Sequence, residues 1–70
     1  MVDDEHDLRE KMVKKLLNDP DKFERMFAAR YLAKYDFVNS KSELLAALND
    51  ENKEVIECIL KLLQQKRSGV

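Results

Sequence analysis

Two stretches of this chain write nearly the same turn: "LLNDPDKF" from Leu16 to Phe23 and "ALNDENKE" from Ala47 to Glu54. An offset of 31 residues carries Asn18 onto Asn49, Asp19 onto Asp50, Lys22 onto Lys53, Leu17 onto Leu48 and Leu32 onto Leu63. The same offset lays apolar on apolar at Val13/Leu44, Leu16/Ala47, Phe27/Cys58, Ala28/Ile59, Ala29/Leu60 and Tyr31/Leu62. Turn chemistry that recurs in register with an apolar pattern marks duplicated supersecondary units that stack on one another. Seventy residues hold one domain with room for two such units.

The periodicity inside each unit is helical. Leu8, Met12, Val13, Leu16 and Leu17 fall on one face of a first helix, which starts near Asp3 or Asp4 as N-cap and stops at Asn18. Asp19 then caps a second helix, with Pro20 at its first position, where a missing N–H is harmless. Phe27, Ala28, Tyr31, Leu32 and Tyr35 form its apolar face, and it ends around Asp36. "DFVNS" reads as a short connection. Ser40, three residues before Glu43, has capping-box spacing, so the third helix runs from about Lys41 to Leu48. The fourth runs from about Glu51 to Gln65, followed by a frayed "KRSGV". One Gly and one Pro in the whole chain leave little material for hairpin turns between strands. The expected fold is all-α: four antiparallel helices as two hairpins, at about residues 4–36 and 40–66, within one domain spanning 1–70.

A helix ending in "LLNDPD" followed by "ERMFAARYLAKYD" resembles a HEAT repeat of the short, HEAT-like kind, with Ala28, Ala29 and Leu32 at the small and apolar positions. In the second copy, "LLAALNDENKEVIECILKLL" fits at Leu44, Leu45, Leu48, Asp50, Val55 and Leu63. The likeness covers about Leu8 to Leu63 as two units. It departs from the pattern at Glu24, where an apolar residue is usual, and at Tyr35-Asp36, which replace the corner Gly. The resemblance implies a fragment of an α-α superhelix or a compact bundle that serves as a scaffold for protein contacts. Some members of the family bind nucleic acid or regulate enzymes, and there is no common active site to carry over.

The side chains offer little chemistry of their own. His6, the only His, lies among acids near the amino terminus and reads as solvated. With one Cys there is no Cys/His set for zinc and no intramolecular disulfide. Cys58 in "VIECILKLL" reads as a small hydrophobe, which fits a reducing, cytoplasmic setting. Asp19 is explained as a cap, Glu54 and Glu57 as a solvated face, and Ser40 and Ser42 as cap residues. Neither an enzyme nor any cofactor or metal is expected. No apolar run approaches the ~20 residues of a membrane span, and no signal-peptide core stands in the first part of the chain.

Thirteen Lys+Arg against 14 Asp+Glu give a net charge of −1, with no general pull on phosphate. The nearest thing to a basic stripe is Arg25, Arg30 and Lys34 on the second helix, which supports a nucleic-acid-binding or regulatory alternative. Surplus hydrophobicity sits on the fourth helix. Val55, Ile56 and Leu60 stand where the first unit has Glu24, Arg25 and Ala29, so the apolar sector widens to about 200°. A last helix ordinarily carries a polar outer face, and a stack is ordinarily about three units or more. Val55, Ile56 and Leu60 are therefore candidates for a protein-binding or self-association surface. The competing account is a closed bundle in which they are core.

Overall fold

Both copies of the turn fold into one hydrogen-bonded device. In the computed structural model, which describes residues 4–68 and the side chains of 7–65, Asp19 Oδ1 accepts from the Asp21 N–H and Asp21 Oδ1 from the Phe23 N–H, each at 2.8 Å. Thirty-one residues on, Asp50 Oδ1 accepts from the Asn52 N–H and Asn52 Oδ1 from the Glu54 N–H, again at 2.8 Å. Each pair of short polar side chains turns the chain and then satisfies the first free N–H groups of a helix. The helices follow in the same register: α2 spans Lys22–Tyr35 and α4 spans Lys53–Ser68. The cap of α2 is thus Asp21, not Asp19. Pro20 lies in the turn before it, not at the first helical position.

The first helix, α1, runs Asp4–Asn18. Asp3 as a cap, the surroundings of His6 and the chain beyond Ser68 lie outside the described residues. The third, α3, departs most from expectation. It runs Phe37–Ala46 and passes into a 3-10 turn at Ala47–Asn49, so "DFVNS" is helix and not connection. Asp36 alone separates α2 from α3, with φ −151° and ψ 43°; its N–H donates to the Leu32 carbonyl while its own carbonyl accepts from the Ser40 N–H. The capping-box spacing at Ser40 and Glu43 is therefore unused. Glu43 faces Arg9 of α1 instead. Arg9 fastens the α2–α3 junction from outside, with Nε 2.7 Å from Asp36 Oδ2 and Nη2 donating to the Asn39 carbonyl at 2.8 Å.

α2 is the central element and touches α1, α3 and α4, while α4 lies on α2 and on the 3-10 turn. The whole measures 39 × 33 × 16 Å, and the short dimension is what two layers of helices 8–10 Å apart produce. Its surface of 5234 Å² exceeds the about 4500 Å² that a compact chain of this mass exposes. A thin slab of this kind buries little. The core consists of Leu16, Leu32, Leu44, Val55 and Ile59 around Ala28, Ala29, Ala33 and Ala47. Three alanines on α2 let its neighbours approach closely from several sides, which bulky residues there would prevent.

Ser40 is fully buried in this core, and its hydroxyl has no hydrogen-bond partner. A buried hydroxyl without a partner costs about 1–3 kcal/mol. Ser40→Ala is therefore expected to raise stability by about 1 kcal/mol, seen as a higher urea midpoint with an unchanged slope. A lower midpoint would mean that the hydroxyl is satisfied in solution.

Candidate interaction surface

The residues singled out on the fourth helix separate on folding. Val55 is fully buried between the layers, Ile56 is half-buried, and Leu60 is 41% exposed. Val55 is therefore core and no part of a surface. At 100° per residue it shares the inward face with Ile59, while Ile56 and Leu60 lie on the flank turned away from α2. Widening of the apolar sector on α4 is partly explained by this second contact, because α4 must cover the 3-10 turn as well as α2.

The basic stripe also breaks up. Arg25 turns inward, and its guanidinium bridges the two copies of the turn. Nη1 donates to the Asp19 carbonyl at 2.6 Å and Nη2 to Asp50 Oδ1 at 3.3 Å, while Nε lies 2.7 Å from Asp50 Oδ2 off the line of a hydrogen bond. The two side chains are only 12% and 9% exposed. This Arg serves the fold, and the exposed stripe shrinks to Arg30 and Lys34.

What replaces it is a row of aromatics. Phe23, Phe27, Tyr31 and Tyr35 follow one another at four-residue steps along α2 and comprise four of the five aromatic residues in the chain. Sequence periodicity placed Phe27, Tyr31 and Tyr35 in the core. In the structure Phe27 is 52% exposed, Tyr35 64% and Phe23 63%, with Tyr31 half-buried. The reason is geometric: α2 has apolar residues on two sides, and the alanine side is the one that three other segments can approach. The aromatics are left outward as a ridge that drifts about 40° around the helix per step. The Tyr31 and Tyr35 rings meet at 4.9 Å, and the ammonium groups of Lys22 and Lys34 stand 5.2 Å from the rings of Phe23 and Tyr35. The four-residue spacing was visible in the sequence; its exposure was not.

Beside this row a shallow groove between α2 and α4 has Met26, Cys58 and Leu62 among its apolar lining and Arg30, Glu57 and Lys61 among its polar lining. The other cations near the row are engaged. Lys22 pairs with Glu54, and Lys15 hydrogen-bonds Glu24 at 2.9 Å with Asp19 at 3.7 Å. The hydrogen bond to Glu24 holds the Lys15 ammonium above its ordinary pKa, against a smaller opposing effect of burial and with Asp19 adding to the rise. A raised pKa contributes stability that is complete below the ordinary lysine value and is lost only as pH climbs through the raised one. That tie is therefore indifferent to pH near neutrality.

Among the described residues no cluster of His, Cys, Asp and Glu could hold a metal ion, and no helix is long and apolar enough to cross a membrane. Comparison with protein-family models, curated proteins and solved structures finds no match to this chain.

Proposed function

We propose that this chain is a non-catalytic protein-binding module built from two HEAT-like helical pairs, a small scaffold or adaptor that works in the cytoplasm. The observation that carries the reading is the aromatic row of α2, where Phe23, Phe27 and Tyr35 each expose more than half of their surface on a rigid helix. Aromatic residues supply large contact area at low cost in side-chain entropy, and they dominate the energetic centres of protein interfaces. The 31-residue repetition of turn and cap supports the helical-repeat part of the reading. Leu45 on α3 and Leu60 on α4 are further exposed apolar positions outside α2.

The reading is tested by selecting helix-forming peptides from a display library on the folded domain. Binders should be retained by the wild type and lost on the double variant Phe23→Ser/Phe27→Ser. That variant should stay folded with its melting temperature lowered by only several degrees, because both rings stand more than half in solvent. Failure to enrich any binder, or enrichment indifferent to the double change, would overturn it.

A further inference from the structure

We infer that the aromatic row of α2, together with Arg30 and Lys34 beside it, docks an acidic amphipathic helix of another protein; this rests on reading the chain as a protein-binding module. The shape argument comes first. Side chains four residues apart form the ridge by which helices most often pack, the ridge of one lying in the groove of the other. α2 already uses its alanine side for its own neighbours; along the ridge Phe23, Phe27 and Tyr35 stand more than half exposed, while Tyr31 rests partly against the core. The thirteen residues from Phe23 to Tyr35 span about 18 Å, enough to seat about three turns of a second helix.

Charge then selects the occupant. Arg30 and Lys34 stand four residues apart on a parallel row, each three residues beyond an aromatic, Phe27 and Tyr31 respectively. Both are exposed, and among the described residues neither has a carboxylate partner, whereas Lys15, Lys22 and Arg25 are all paired. Glu24 on α2 is taken by Lys15, and Glu54 of α4 by Lys22. The ridge therefore presents apolar rings edged by two cations that have no ion-pair partner, with Glu57 across the groove from Arg30. Its complement is a helix with Leu, Ile, Phe or Met at steps of three and four and with Asp or Glu along the edges of that stripe. Nucleic acid fits less well. Arg30 and Lys34 along the ridge would neutralise only about two phosphates, a small electrostatic gain.

The test uses the full chain and a fluorescein-labelled peptide of about 18 residues, an amphipathic helix with a Leu stripe edged by Glu. A second peptide keeps the Leu stripe with Lys in place of Glu, and a single-stranded oligonucleotide serves as the third probe. The Glu peptide should bind at least about tenfold more tightly than the Lys peptide, and Phe27→Ala should weaken it by about tenfold or more. Arg30→Glu/Lys34→Glu should weaken it as much and reverse the preference between the peptides. Equal binding of both peptides, or indifference to the charge reversal, overturns the acidic assignment. If Phe27→Ala still abolishes that binding, the protein-binding reading stands. Binding of the Glu peptide that ignores Phe27→Ala overturns the assignment to this ridge. Binding of the oligonucleotide alone overturns both. A concentration-dependent dimer in light scattering that Phe27→Ala dissolves would make a second copy of this chain the occupant and overturn the assignment to another protein's helix. Binding of no probe overturns the inference.

Discussion

Arg25→Met is expected to lower stability by about 3–5 kcal/mol, the usual loss when one partner of a buried ion pair is removed. The total stability of a 70-residue domain is about 4–10 kcal/mol, so this one change should remove about a third of it or more and shift the urea midpoint far downward. The loss is large because of what remains. Asp50 is 9% exposed in the wild type, and without the guanidinium its charge would keep the Asn52 N–H as donor but lose its counter-ion in a site with little access to water. Arg25 also satisfies the Asp19 carbonyl, so both copies of the turn lose their common tie. Arg25→Lys should rescue little, because an ammonium cannot reach a carbonyl and a carboxylate with the fork of a guanidinium. Adding Asp50→Asn to Arg25→Met should restore part of the loss, because the stranded charge is gone while the side-chain oxygen can still accept from the Asn52 N–H. The measurement is urea unfolding of the four proteins followed by helical circular dichroism. A loss below about 1 kcal/mol for Arg25→Met would show the pair to be no stronger than an exposed one.

Val55 and Leu60, five residues apart on one helix, should respond to charge in opposite ways. Val55→Asp places a carboxylate where the side chain has no exposure and no cation partner, at a cost of several kcal/mol, and should abolish the cooperative transition. Leu60→Glu lies on the flank facing solvent and should change stability by no more than about 0.5 kcal/mol. Thermal melts of the two variants decide the point. Comparable loss in both would mean that Leu60 is covered in solution, which light scattering would trace to self-association. A folded Val55→Asp would contradict the position of α4 on α2.

The two variants also mark where sequence reasoning reached its limit. Its account of α4 as unusually apolar was correct, yet Val55, Ile56 and Leu60 were grouped by comparison with the first unit, and that comparison carries no information about depth. Val55 is inside because α4 serves two neighbours at once. Arg25, Arg30 and Lys34 were likewise grouped as cations on one helix. The first of them points inward only because Asp50 lies across from it, 25 residues further along the chain.

The all-α class, four helices and the matched turns were determined by the sequence itself, because each depends on groups a few residues apart. Asp19 with Asp21, and Asp50 with Asn52, bend the chain and cap a helix with hydrogen bonds that never leave the segment. Local chemistry misled at Ser40, where a capping-box spacing competed with burial in the core and burial prevailed. The tertiary structure alone decided which side of α2 faces inward. That helix carries an alanine-leucine row and an aromatic row, and its own periodicity accepts either. Three neighbouring segments must crowd against α2 in a slab 16 Å thick, and only small side chains admit them. Ala28, Ala29 and Ala33 with Leu32 therefore went inside, and the rings of Phe23, Phe27 and Tyr35 were left mostly on the outside.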